Sequence, residues 1–144
     1  MNVNFPESKG TYILVFSLQK RKLIHTRNKS FMLSEGIYSY VGSAFGAGGL
    51  KSRLNRHLKK RKKKHWHLDY VSTFRSFKPL VVYCFPEERI ECYIADKFEK
   101  VFESVPDFGC SDCSCKSHLF LVNSVSEVDK IISNLPFFSF NLGG

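Results

Sequence analysis

From Thr11 to Phe16 the chain reads Thr-Tyr-Ile-Leu-Val-Phe, an unbroken β-prone run that predicts a strand covered on both faces. Shorter runs at Lys22–Thr26 and Phe31–Leu33 are split by Arg27-Asn28-Lys29-Ser30, and another run follows at Ile37–Val41. Together they predict an antiparallel meander with hairpin turns. Gly46-Ala47-Gly48-Gly49 marks a loop, after which Leu50, Leu54 and Leu58 recur at helical spacing and predict a helix over 49–62. His65–Val71 reads as a short helix or an irregular packed segment, and Pro79–Phe85 as a buried strand. Pro86 predicts the first position of a second long helix, with Glu87 and Glu88 as capping charges at its positive end. Ile90, Ile94, Phe98 and Val101 give that helix an apolar stripe to about residue 103. His118–Val122 predicts a short strand, and Ser124 with Glu127 three positions on is a capping box opening a last helix to about Asn134. Pro136 and the Phe137–Phe140 tail close the chain. This pattern is α+β: a small, mainly antiparallel sheet flanked by helices. It is expected to form one domain over 1–144, with its core at about 9–122 and a C-terminal helix and tail over 124–144.

Composition narrows the function classes. A hydrophobic share of 43% in 144 residues supports a folded core rather than a disordered chain. No apolar run reaches the ~18–20 residues of a membrane span, and Met1–Glu7 lacks the layout of a signal peptide. A cytoplasmic location without membrane partners is the expectation. Five cysteines, an odd number, argue against a disulfide framework. The net charge of +9 is concentrated between Lys51 and Lys64, where nine basic residues meet no acidic one. Lys51, Arg56, Lys59, Lys60, Arg61, Lys62, Lys63 and Lys64 are therefore the candidate nucleic-acid contacts, because phosphate neutralisation releases counterions. An anionic membrane ranks lower, since the helix lacks a broad apolar face with Trp or Phe. A solubilising patch is the plain alternative.

Candidate chemistry centres on residues 40–57. Arg53 and His57 are four positions apart and share a helix face, next to Tyr40 at a strand end. Arg supplies a fixed fork for phosphate oxygens, and Tyr and His can each move a proton. Taken singly, each has an ordinary structural reading as a strand or surface residue.

In order along the chain, the residues resemble the GIY-YIG endonuclease superfamily. Its two name motifs correspond to Gly10-Thr11-Tyr12 and Tyr40-Val41-Gly42, and Arg53-Leu-Asn-Arg-His57 matches its Arg-x-x-x-His helix. Gly42–Ala44, Gly48–Leu50, Trp66–Tyr70 and Ser111–Leu119 are similar to a largely archaeal branch, sometimes fused to glycosylase-type DNA repair domains. The likeness covers about residues 9–122. Two departures stand out: an inserted pair of short strands lengthens the interval from Tyr12 to Tyr40, and the late asparagine that supports the family's site has no clear counterpart here.

The resemblance implies metal-dependent hydrolysis of phosphodiester bonds in DNA, selective for structure, in repair or recombination. It implies a Mg²⁺ or Mn²⁺ ion on one carboxylate, Glu91, with water and phosphate oxygens completing the shell. Tyr12 or Tyr40 would hold or deprotonate the attacking water, Arg53 would stabilise charge on the phosphate, and His57 would carry a proton or orient a phosphate. Tyr38, on the same strand face as Tyr40, would line the same site. Specificity would come from substrate shape, the basic run or a repair-protein partner. The lost asparagine favours an alternative, a binding module that keeps the fold without cleavage. A third reading is a protein-interaction domain kept soluble by its basic helix.

Cys110-x-x-Cys113-x-Cys115-x-x-His118 places four soft ligands within nine residues. Zn²⁺ suits the ligand types, while buried thiols around a structural histidine suit the tight spacing. Asp112 or His118 reaching the active site is a third option. His65 and His67 could flank a ligand, although Trp66–Tyr70 more readily packs the sheet and orients the helix.

Overall fold

β1 (Gly10–Leu18) is the middle of the molecule because every second side chain on each of its faces finds apolar cover. In the computed structural model, which describes residues 3–109 and 114–143, it is followed by β2 (Lys22–His25), β3 (Ser30–Leu33) and β4 (Gly36–Ala44). Next come α1 (Gly49–Leu58), α2 (Asp69–Ser72), β5 (Phe77–Pro86) and α3 (Glu91–Glu99). β6 (Glu103–Ser104), β7 (Leu119–Val122), α4 (Val125–Ile131) and β8 (Phe138–Asn141) complete the chain. A six-stranded sheet runs β6-β7-β4-β1-β5-β8 with every neighbouring pair antiparallel, so the fold is α+β as expected.

Side chains alternate faces along a strand, and each face of β1 has its own core. Tyr12, Leu14, Phe16 and Leu18 join Leu50 and Leu54 of α1, Leu68 and Val71 around α2, and Ile24, Phe31 and Leu33 of the β2–β3 ribbon. Ile13 and Val15 join Ile94, Ala95 and Phe98 of α3 and Val128 and Ile132 near α4.

The expected meander is corrected. β1 and β4 pair along their full lengths, from Gly10 opposite Ala44 to Leu18 opposite Gly36. That leaves no edge for β2 and β3, which pair only with each other and fold over one sheet face. α1 also stops earlier than the expected residue 62: Lys59 is already extended. Like charges on successive helical turns repel, and the Lys62 ammonium instead meets the Arg56 and His57 carbonyls at 2.8 and 2.9 Å, capping the helix end.

Pro86 does not open a helix. It ends β5, Glu87 takes a positive φ of 66°, and α3 begins at Glu91. Glu87 and Glu88 thus lie in the connecting turn rather than capping α3. Thr11 forms this turn: its hydroxyl donates to the Glu88 carbonyl at 2.7 Å and accepts from the Ile90 amide at 3.1 Å. α3 ends at Glu99, and Val101 is exposed rather than part of the stripe. The last helix is capped as expected, with the Ser124 side chain accepting from the Glu127 amide, and ends at Ile131. The aromatic tail forms β8 on the β5 edge. Among the described residues, no helix is long and apolar enough to cross a membrane.

Gly42 sits directly opposite Tyr12, and a Cβ there would overlap the Tyr12 ring. Gly42→Ala is expected to lose roughly 1–3 kcal/mol in urea unfolding. Gly46→Ala, at an exposed position where a Cβ meets nothing within 4 Å, is expected to unfold like the parent.

Candidate functional site

Tyr12, Tyr40 and His57 form one aromatic group on the α1 face of the sheet. Leu14 faces Tyr40 across the β1–β4 ladder, so Tyr12 and Tyr40 lie diagonally on one side, with ring centroids 6.3 Å apart. His57 projects from the last turn of α1 into them, its ring 5.5 Å from Tyr12 and 6.1 Å from Tyr40. The Tyr12 hydroxyl and His57 Nε2 are 2.6 Å apart.

Burial sets the protonation of this pair. It holds the Tyr12 hydroxyl above the ordinary phenol range, against the pull of the neighbouring Arg53. It raises Tyr40 well above that range too, assisted by the charges of Tyr12 and Glu91. His57 moves the other way, to about 3, through burial and then the cations Lys62 and Arg53. Tyr12 therefore keeps its proton and donates it to a neutral His57 Nε2. His57 Nδ1 is buried without a hydrogen-bond partner among the described residues.

Arg53 lies one turn before His57. Its Nη1 donates to the Ser43 carbonyl at 3.0 Å, and its guanidinium stacks on Trp66 with Cζ 4.1 Å from the ring centroid. Arg56 lies over the same indole at 4.7 Å and pairs with Asp69 at 2.7 Å. The Asp69 side chain is fully buried and also accepts from the His65 and Trp66 amides at 2.7 and 2.9 Å. Burial pushes its carboxyl up, but these hydrogen bonds outweigh that, and its pKa falls below the ordinary value. The Trp66–Tyr70 segment thus holds the arginine face of α1 in place.

Glu91 comes from the opposite side of the sheet, at the first position of α3. Its charge reaches both phenols, raising each. Its Oε2 lies 3.3 Å from His118 Nδ1, which also faces the Val41 carbonyl at 3.0 Å. Tyr38 does not join this group: its hydroxyl donates to the Ser34 carbonyl at 2.7 Å and its ring stacks on Phe16.

The basic run divides. Lys60 donates to the carbonyls of Ser72, Phe74 and Phe77, and Lys62 caps α1, its pKa lowered to about 8 chiefly by burial. Arg56 is held by Asp69 and the Lys63 carbonyl. Lys51 reaches Asn4, and Lys59, Arg61, Lys63 and Lys64 are solvent-facing. The first amides of α1 are also occupied: Leu50 and Lys51 donate to the Ser8 and Pro6 carbonyls at 2.9 Å. A concavity of about 320 Å³ lies between the β2–β3 turn (Arg27, Lys29) and the segment bearing Lys64 and His65. A smaller one of about 220 Å³ lies against Ser52, Arg53, Arg56 and Trp66.

Cys110, Cys113 and Asp112 lie outside the described residues. Cys115 and His118 are described, and the third group beside them is Cys92, the second residue of α3. Ligand atoms of Cys92, Cys115 and His118 all lie within 4.8 Å of one another, an arrangement that could hold a metal ion. Sequence spacing hid Cys92, because α3 is brought to β7 only by the fold. His65 and His67 both line the larger concavity, with His67 Nδ1 accepting from the Gly109 amide at 2.9 Å and His65 packed on Trp66.

The sequence profile described as Domain of unknown function DUF123 matches residues 11–136. The chain belongs to the DUF123 family. The match runs from β1 to the segment before β8, so it takes in the whole Tyr12–Tyr40–Arg53–His57–Glu91 group. No curated protein and no solved structure is matched by the chain.

The low His57 pKa gives the folded protein an acid sensitivity with a defined sign. Between the unfolded value near 6.5 and about 3 the unfolded chain binds a proton that the folded chain does not, so this contribution is lost as pH falls through that window. It amounts to several kcal/mol on the order of the shift. Unfolding free energy measured from pH 7 to 4 is expected to fall less steeply in His57→Gln than in the parent.

Proposed function

We infer that the chain is a GIY-YIG-type endonuclease that hydrolyses phosphodiester bonds in DNA with a divalent metal. The observation that carries this reading is the gathering of Tyr12, Tyr40 and His57, with Arg53 beside Tyr12, at a place where the charge of Glu91 acts on both phenols. Glu91 suits Mg²⁺ or Mn²⁺: its carboxylate is partly exposed, with a side-chain exposure of 30%, and a carboxylate offers two oxygens to a hard cation. A bound ion would supply Lewis-acid stabilisation of the phosphate.

The chain's own groups do the rest. Arg53, held over the Trp66 ring, would face the charge that grows on phosphate oxygens. Tyr12 takes a proton from water as it passes its own to His57 Nε2, so no phenolate has to exist beforehand. Burial is the main reason His57 stays neutral, and a negative phosphate arriving beside Arg53 offsets the cationic contribution that adds to it. DNA-strand contacts are assigned to the solvent-facing Lys59, Arg61, Lys63 and Lys64 and to Arg27 and Lys29 across the larger concavity.

A second reading, binding without cleavage, has a specific observation in its favour: Tyr12 is fully buried and Tyr40 only 8% exposed. A cleavage assay separates the two. Plasmid, flap, junction and single-stranded DNA are incubated with Mg²⁺ or Mn²⁺. The parent is expected to cut at least one of them, and Arg53→Ala and Glu91→Gln to cut about 10²–10³-fold more slowly while still binding. Salt-sensitive binding by the parent without any cutting would leave the binding module as the reading. Absence of salt-sensitive binding would reduce the basic run to a solubilising patch.

The contact assignment has its own test. In binding titrations over a range of salt, Lys63→Ala and Arg27→Ala are each expected to lower the slope of log K against log salt by about 1. Lys60→Ala is expected to lower stability rather than that slope.

A further inference from the structure

We propose that Cys92, Cys115 and His118 form a zinc-binding site distinct from the Glu91 position of the proposed cleavage reaction. Three segments build it: the first turn of α3, the loop before β7, and the residue that leads into β7. The ligand atoms fall within 4.8 Å of one another. Tetrahedral Zn²⁺ with Zn–S bonds near ~2.3 Å and Zn–N bonds near ~2.0 Å separates its ligands by roughly 3.3–3.8 Å. Side-chain movements of about an ångström close the gap.

His118 is oriented for this role. Its Nδ1 faces the Val41 carbonyl at 3.0 Å and Glu91 Oε2 at 3.3 Å. Both are acceptors, so the proton belongs on Nδ1 and the lone pair on Nε2. A metal-binding imidazole held by a carboxylate and a backbone carbonyl on its other nitrogen is a recurring supporting arrangement. The His118 ring is buried, with 1% exposure, which fixes its direction, while Cys92 is exposed and gives an ion a route in. Two thiols and an imidazole are a soft set that favours Zn²⁺ over Mg²⁺.

The test uses the full chain, reduced and stripped with a chelator, and reads metal binding without reference to DNA. Its failure is therefore separate from failure of the cleavage reading. The parent is expected to bind one equivalent of Co²⁺ with the thiolate-to-metal charge-transfer band and intense visible bands of a tetrahedral site. Zn²⁺ is expected to displace the Co²⁺ and raise the thermal midpoint. Cys92→Ser, at an exposed position, is expected to keep the parent's circular dichroism, lose charge-transfer intensity and bind Zn²⁺ roughly tenfold or more weakly. A parent without the charge-transfer band would overturn the proposal. So would Cys92→Ser with unchanged band and affinity, because the thiolates would then lie elsewhere in the chain.

Discussion

The geometry of the candidate site depends on one close approach, the Tyr12 ring over Gly42. The two residues are paired across β1 and β4, and any side chain on Gly42 would displace the ring. With the ring in that position, its hydroxyl reaches His57 of α1 at 2.6 Å. The adjacent Thr11 points to the other face and holds the turn before α3 through the Glu88 carbonyl and the Ile90 amide. One short strand segment therefore sets both the phenol and the starting point of the helix that carries Glu91. Period-two alternation is what lets neighbouring residues serve opposite faces of the same sheet.

A second constraint is the repulsion within the basic run. Nine cations on one helix and its following loop would splay apart without anions. The fold counters this with backbone dipoles and a single buried carboxylate. Lys60 and Lys62 are surrounded by carbonyls, and Asp69 takes Arg56 with two backbone amides behind it. Trp66 collects both guanidinium groups on its ring. Cations spent in this way shape the surface, and those left facing solvent are the ones on which the proposed DNA contacts would draw. Charge counting along the sequence cannot make that division, because it depends on which ammonium groups find carbonyls in the folded chain.

Local pattern made much of the fold legible. The apolar run at Thr11–Phe16, the Leu50/Leu54 spacing and the Ser124–Glu127 cap each encode their element within a few residues. Elements fixed by distant partners were not legible. α3 starts five residues later than Pro86 suggests because Thr11, far upstream, holds the turn. β8 exists because β5 offers an edge to the aromatic tail. The same division holds at the site. Tyr12, Tyr40, Arg53 and His57 lie in recognisable segments, whereas the role of Thr11 shows only in its hydrogen bonds to remote backbone and that of Asp69 in its ion pair with Arg56. Tyr38 shares the strand face of Tyr40, yet Ser34 takes its hydroxyl away from the group.

Glu91 and Cys92 bring two kinds of chemistry to consecutive positions of α3. The carboxylate is a hard ligand and the thiol a soft one, so the two proposed sites would take different cations rather than compete for one. Glu91 meets His118 Nδ1 and its charge acts on both phenols, while Cys92 lies beside Cys115 and His118. His118 touches both, facing Glu91 through Nδ1 while belonging to the thiol group. An ion held by Cys92 and His118 would thus clamp the first turn of α3 to β7 and fix the carboxylate beside it. Under the two proposals together, the soft site would brace the start of the helix that carries the hard ligand.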